Sequence, residues 1–225
     1  MVDDINAISS AGDGASTART MTVTNAQEAF SLTLTAASHA DVEHNISFVD
    51  SSGTSDSMSL TLSATINSAM GDVNANAVET ISINSDDTNL LTLSTHSVTL
   101  TANALKTLTI TGDAALTLTN VSTTLTSLDA TGNGKGVSWA AIPTLAAAAT
   151  ITGGAGADNL GGATNTAAKA LTMDGGSGQD TLQGGLGADT ITDTSVETNL
   201  DGNDFDGAGG NDTISGGTGE DTIAT

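Results

Sequence analysis

Five short stretches of this chain set an aspartate just after a cluster of glycines. They are GGAGADNLG (153–161), GGSGQDTLQ (175–183), GGLGADTIT (184–192), GAGGNDTIS (207–215) and GGTGEDTIA (216–224). Each carries its acid at the sixth place (Asp158, Asp180, Asp189, Asp212 and Asp221) and an aliphatic at the eighth (Leu160, Leu182, Ile191, Ile214 and Ile223). The chemistry that suits this arrangement is capture of a hard cation. Calcium takes about 6–8 oxygens at about 2.3–2.6 Å, and few side chains can crowd that closely. A tight glycine turn lets backbone carbonyls point inward without Cβ clashes. The aspartate supplies charge and closes the shell. Asp174, Asp201, Asp204 and Asp206 flank the repeats and are candidates for further ligands, although Asp is equally a turn and capping residue.

The register fits the nonapeptide GGxGxDxUx, and these residues resemble RTX repeats, the calcium-binding β-roll of proteins exported by type I secretion. Five copies make the motif specific, where one would be weak. The resemblance covers residues 153–225. The fourth copy departs from the pattern, with Ala208 at the second glycine place, and the spacers 162–174 and 193–206 interrupt the array. In the family each ion sits between turns stacked on one side, with an aspartate from each. The resemblance therefore implies calcium as cofactor, held by the five aspartates and by the turn residues Gly153 and Ala155, Gly175 and Ser177, Gly184 and Leu186, Gly207 and Gly209, and Gly216 and Thr218.

A β-roll turn, as the resemblance implies, holds two nonapeptides with successive Gly–Asp turns on opposite sides. The steps between acids are 22 (Asp158 to Asp180), 9, 23 (Asp189 to Asp212) and 9. A step of 9 crosses to the other side, and a step of 22 or 23 returns to the same one. Asp158, Asp180 and Asp221 are thus predicted on one side, and Asp189 and Asp212 on the other. The segment 193–206 fills the gap between Asp180 and Asp221, with Asp201, Asp204 and Asp206 as the acids to complete a site there.

The upstream sequence must supply the platform. LTITGD (108–113), SLDATG (127–132) and ATITGG (149–154) each set a β-type run before Gly112, Gly132 and Gly153, and ALTMDGG (170–176) continues to Gly175. One strand per turn, recurring at about 20 residues, suggests a solenoid of stacked parallel strands. ETISINSDD (79–87) reads as an earlier rung at a looser spacing. Alternation supports strands at Leu32 and Leu34, Leu60 and Leu62, Leu108 and Ile110, and Leu116 and Leu118. Thr and Ser fill the outward places, where β-branched Thr suits a pleated surface. Helix signals are few: AAIPTLAAAAT (140–150) is Ala-rich but contains Pro143. Residues 1–30 show little periodicity and read as an irregular lead-in or a truncated rung. The expected organisation is this lead-in (1–30), a β-solenoid with rungs of about 20 residues (31–152) and an RTX-type β-roll (153–225). The fold class is all-β: a right-handed parallel β-solenoid passing into a C-terminal RTX calcium β-roll. Handedness follows from the crossover preference and from the family.

Composition narrows the function. Lys plus Arg number 4 against 26 Asp plus Glu, for a net charge of −22 over 225 residues. Four basic residues cannot neutralise a phosphate backbone or hold an anionic membrane surface, so neither nucleic acid nor membrane insertion is expected. The acidity favours cations. Aromatics are 2%, which argues for thin layers of Leu, Ile, Val and Ala rather than a thick core. Acidic, aromatic-poor chains can be disordered, but the strand-like patterning answers that reading. With no cysteine, disulfides and thiolate metal sites are excluded, which suits a chain exported unfolded. No run approaches the roughly 18 apolar residues of a membrane span. The start MVDDINAISSAG lacks the basic and apolar regions of a secretory signal. The chain stops one residue after a complete repeat, so a fragment of a longer protein is the expectation.

Without calcium, stacked aspartates repel and glycines cost entropy, so binding and folding should be coupled. Extracellular-type sites bind at about 10⁻⁴–10⁻³ M, too weakly to fill in a cytosol. The repeats are therefore expected to stay unfolded inside a cell and to fold outside it.

Other constellations carry less. HADVEH (39–44) would place His39, Asp41 and Glu43 on one face of a strand, a possible transition-metal set, but a solvated loop is the simpler reading. Trp139 reads as a solenoid plug or interface residue. No GxSxG elbow, HExxH or P-loop appears, so the expectation is a non-enzyme.

VETISINS (78–85), LKTLTITGDAALTLTN (105–120), LTSLDATG (125–132) and TITGGAGADNLGG (150–162) are similar in kind to the S-layer proteins of stalked and related Gram-negative bacteria. There a solenoid with RTX turns tiles a calcium-dependent surface lattice. That resemblance implies a secreted, cell-surface location, with calcium, copies of the same chain and cell-surface polysaccharide as partners. An RTX adhesin or matrix spacer is the alternative, and the non-catalytic repeat region of an extracellular enzyme is a further one.

Overall fold

The computed structural model describes residues 5–11, 19–35, 42–50, 52–89, 93–119, 122–161, 169–194 and 202–225. They form nineteen strands. The first ten are β1 (Ile5–Ala11), β2 (Arg19–Thr35), β3 (Val42–Phe48), β4 (Ser57–Ala64), β5 (Ser68–Asn74), β6 (Thr80–Asp87), β7 (Thr95–Thr101), β8 (Thr107–Gly112), β9 (Ala115–Thr119) and β10 (Ser127–Asn133). The rest are β11 (Val137–Trp139), β12 (Ala149–Thr152), β13 (Asn159–Gly161), β14 (Leu171–Asp174), β15 (Thr181–Gly185), β16 (Thr190–Thr192), β17 (Asp204–Ala208), β18 (Thr213–Ser215) and β19 (Thr222–Ala224).

Every strand pairing is parallel: β1 pairs with β2 and β2 with β3, and from β2 onward each strand also skips its sequence neighbour to pair with the next but one. Even-numbered strands from β2 to β18 make one stack, and odd-numbered strands from β3 to β19 make the other. The fold is an all-β parallel β-solenoid. Each turn carries two strands, not the one expected from the spacing of Gly112, Gly132 and Gly153. Beyond β9, whose alternation at Leu116 and Leu118 is legible, the second strand escapes notice because β11 and β13 span three residues each, too few to show alternation. ETISINSDD does form an earlier rung, with Thr80 in register with Thr107.

Inward positions build continuous apolar ladders. In the even stack Phe30, Met58, Ile81, Leu108, Leu128, Ile151, Met173 and Ile191 lie in successive register, all essentially fully buried. In the odd stack Trp139, Leu160, Leu182 and Phe205 continue the pattern. Each buried side chain of this size is worth about 1.5–3 kcal/mol, so two thin ladders replace one thick core. Trp139 is a plug inside the solenoid. Ile214 is only partly buried and Ile223 is 51% exposed, because β18 and β19 are each paired on one side only.

Two expectations are corrected. The described residues within 1–30 are not irregular: β1 and most of β2 lie there, and β2 pairs with β3 through its first half and with β4 through its second. Asn25 and Ala29 adopt positive φ, so the inward side chains run Val23, Ala26, Phe30, Leu32, Leu34. Those two corners break the period of two. HADVEH is not wholly a solvated loop: Glu43 and His44 belong to β3, His44 is fully buried, and its Nδ1 lies 3.2 Å from the Asp72 carbonyl. His39 and Asp41 lie outside the described residues. Among the described residues no helix is long and apolar enough to cross a membrane, and 140–148 is irregular, as Pro143 requires.

Candidate metal centre

The Gly–Asp turns sit just before strands β13, β15, β16, β18 and β19, so strand register decides which acids meet. Parallel pairing of β13, β15, β17 and β19 stacks Asp158, Asp180 and Asp221 on one side. Pairing of β14, β16 and β18 stacks Asp189 over Asp212 on the other. This is the partition predicted from the steps of 9, 22 and 23.

The acids are linked by a repeated hydrogen bond. Val137 N–H donates to Asp158 Oδ1 (2.6 Å), and Asp158 N–H donates to Asp180 Oδ1 (2.8 Å). Asp180 N–H donates to Asn203 Oδ1 (2.7 Å), and Asn203 N–H donates to Asp221 Oδ1 (2.9 Å). Across the solenoid, Leu171 N–H donates to Asp189 Oδ1 (2.7 Å) and Asp189 N–H to Asp212 Oδ1 (2.9 Å). Each acid thus caps the backbone of the turn before it. The second oxygen turns to its own loop: Gly154 N–H reaches Asp158 Oδ2 and Gly185 N–H reaches Asp189 Oδ2, both at 2.8 Å. Main-chain bonds close the clamp, with Asp158 O accepting from Thr181 N–H and Asp189 O from Thr213 N–H, both at 2.8 Å.

Glycine is required here by space. A Cβ on Gly153, Gly175, Gly184, Gly207 or Gly216 would fall on Oδ2 of the aspartate five residues on. At Gly153 it would also strike the Gly175 carbonyl, and at Gly184 the Gly207 carbonyl. Carboxylate and carbonyl oxygens of adjacent turns therefore approach one another where only hydrogen stands. Gly178 has φ +122, and a Cβ there would overlap the Gly156 carbonyl of the turn below; only glycine permits both. Burial raises the pKa of Asp158 above the ordinary carboxylate value, against the lowering effect of the Gly154 and Val137 N–H groups.

This donor set fits calcium. It is all oxygen, from carboxylates and carbonyls of stacked turns, and a carboxylate oxygen that accepts one N–H keeps a second acceptor site. Among the described residues no three His, Cys, Asp or Glu side chains converge on one point, so a set built from side chains alone, of the kind a transition metal takes, is not formed. A hard cation here must draw on the backbone.

The flanking acids are placed differently from expectation. Asp204 and Asp206 bracket the inward Phe205 on β17 and face outward, and Asp206 accepts from Gln183 Nε2 at 3.0 Å. Asp174 accepts from Gly176 N–H (3.2 Å) and Thr194 Oγ1 (2.9 Å), a turn-capping role. Asp201 lies outside the described residues. The residue that occupies the column between Asp180 and Asp221 is Asn203. Its Nδ2 donates to the buried Asp193 Oδ2 at 2.7 Å. Neither was singled out in the sequence. Asn203 stands nine residues before Asp212, with Phe205 at the eighth place, and that spacing is the signal that would have found it. Both columns end upstream on an apolar residue, Val137 and Leu171, that donates its N–H and offers no carboxylate.

A family model described as the RTX calcium-binding nonapeptide repeat (4 copies) matches residues 172–192 and 199–225. The chain thus carries RTX calcium-binding repeats at the four turns from 175 onward and across Asn203. The turn 153–161 lies upstream of the match and joins the column through its hydrogen bonds with Val137 and Asp180. No curated protein matches the chain.

Proposed function

We propose that this chain is a structural segment of a bacterial cell-surface protein of S-layer type, whose folding and lattice assembly depend on calcium bound between its Gly–Asp turns. It is secreted, by type I export, and it is not an enzyme. Calcium is held by Asp158, Asp180, Asp189, Asp212 and Asp221 with backbone of the first- and third-place residues of each repeat. The repeats form a β-roll over 153–225, continuing a right-handed solenoid, since parallel crossovers prefer that hand. Copies of the chain, and polysaccharide of the cell surface, are its partners, while nucleic acid and membrane insertion are not expected of a chain with net charge −22.

The observation that supports this reading is the continuous parallel pairing from β2 to β19. The strands that follow the calcium-type turns pair in the same two stacks as the strands before them. Filling those turns would rigidify part of an acidic, repetitive solenoid, which is a structural task. Divalent ions would also screen surfaces that otherwise repel.

Calcium titration followed by circular dichroism and light scattering together tests the reading. Folding with growth of large ordered particles is expected. Folding to a monomer would replace the lattice role by that of an adhesin or matrix spacer. Full β-sheet signal in calcium-free buffer would refute the coupling of binding to folding.

A further inference from the structure

A second acidic feature lies far upstream of the repeats. Where β2 turns its corner, where β3 ends and just before β4 begins, a cavity of about 220 Å³ is lined by Glu28, Asp50 and Asp56, with Ala26, Gln27, Phe48 and Val49 completing its wall. Among the described residues no Lys or Arg lines it. Asp56 is 2% exposed, and its Oδ2 is buried with no hydrogen-bond partner. An unpaired buried carboxylate is costly, so the orphaned oxygen calls for a partner that is neither backbone nor side chain.

The column around Asp56 repeats the pattern of the calcium-type turns. Asp56 N–H donates to Glu79 Oε2 at 3.0 Å, and Asp56 O accepts from Glu79 N–H at 3.1 Å. That is the clamp seen between Asp158 and Asp180, with an acid of the next turn capping the backbone of the one before. Glu28 stands two residues before Phe30, which pairs with Met58, two residues after Asp56. Acids thus recur at one place on three successive turns, without the glycine motif. Burial, then the carboxylates of Glu79, Glu28 and Asp50, raise the pKa of Asp56.

We propose that this cavity is a further calcium site, independent of the repeats, in which Asp56 binds the ion directly and Glu28 and Asp50 on the rim supply charge. The rim acids border the cavity without converging on Asp56, so the ion keeps part of its water shell. The volume allows this, since a water occupies about 30 Å³ and calcium takes about 6–8 oxygens. Such an ion would tie the β2 corner to the β3–β4 connection, far from the Gly–Asp turns.

The test titrates calcium into the full chain up to saturation and counts the bound ions by native mass spectrometry, comparing wild type, Asp56→Asn, Glu28→Gln and Asp189→Ala. Asp56→Asn is expected to bind one ion fewer than wild type. Asp56→Asn combined with Asp189→Ala is expected to lose the ions lost by each alone. Glu28 is exposed, so Glu28→Gln should fold in any case and weaken this one ion by about tenfold, as removal of ligand charge does. An unchanged count in Asp56→Asn, or an unchanged titration in Glu28→Gln, overturns the proposal. The comparison reads out even if the repeats themselves take no calcium, because it is a difference at Asp56 alone.

Discussion

Replacing Asp189 by alanine tests the column at a point where its contacts are fully accounted for. Asp189 Oδ1 accepts from Leu171 N–H at 2.7 Å and Oδ2 from Gly185 N–H at 2.8 Å, and the residue is buried. A hydrogen bond to a charged group is worth about 1.5–3 kcal/mol, so losing both should cost about 3–6 kcal/mol, a large share of a typical total of about 5–15 kcal/mol. That loss alone says nothing about calcium. Asp87 supplies the control: its oxygens accept from Asn89 N–H at 2.8 Å and Ser94 N–H at 3.1 Å, and it lies outside the repeats. Asp87→Ala removes the same number of backbone acceptors. What separates the two is the response to calcium. A saturated ion contributes about 1.4 kcal/mol of stability per tenfold rise in free calcium. Urea unfolding followed by circular dichroism at about 1 mM and about 10 mM calcium works from the top of the expected dissociation range upward, where the sites fill. Asp189→Ala should lower the stability gained between the two concentrations by about 1.4 kcal/mol for each ion lost, while Asp87→Ala leaves that gain unchanged. Equal gains in the two variants would refute the assignment of Asp189 as a ligand.

Three further outcomes are expected. Ala208 holds a glycine place at φ 62, a conformation that costs an L-residue about 1–2 kcal/mol, against about 0.5–1 kcal/mol for the extra freedom of glycine in the unfolded chain. Ala208→Gly should therefore raise the urea midpoint modestly at unchanged slope. Asn203→Asp should set a carboxylate against Asp193, 2.7 Å away, lowering stability in low calcium and steepening its calcium dependence. His96 is fully buried, with Nδ1 3.0 Å from Ser85 Oγ. Burial depresses its pKa below 6.5, outweighing the upward pull of Asp87, Asp86 and Asp113. The unfolded chain then takes up a proton that the fold refuses. Stability should be complete above the unfolded value and lost as pH falls through the folded one, a loss that thermal melts of His96→Gln should show reduced.

The repeats and the platform were legible because their chemistry is periodic. Steps of 9, 22 and 23 between acids assigned the sides of Asp158, Asp180, Asp189, Asp212 and Asp221, and strand pairing agrees. What was missed breaks a period or changes a residue type. Asn25 and Ala29 turn the chain at positive φ and scramble the alternation of β2. His44 follows the inward pattern of Ile46 and Phe48, but only a neutral imidazole can be counted as a core residue. Asn203 keeps the spacing of an acid without being one. Asp56 and Glu79 have no motif at all: they meet because Ser57 and Thr80 are in register, a relation that exists only once the turns are stacked.

The stacking has a mechanical meaning. Hydrogen bonds between turns run along the solenoid axis, so tension applied to the two ends peels the stack one turn at a time instead of shearing all turns together. Ile151 pairs with Met173, and release of a turn of that size frees about 75 Å of extended chain in place of about 5 Å of stack. The longer turn that pairs Thr80 with Thr107 should yield about 90 Å. Drawn out in this way, the molecule is an extensible tether with its step lengths written in the turn spacing, and the acid clamps set the force at which its last turns give way.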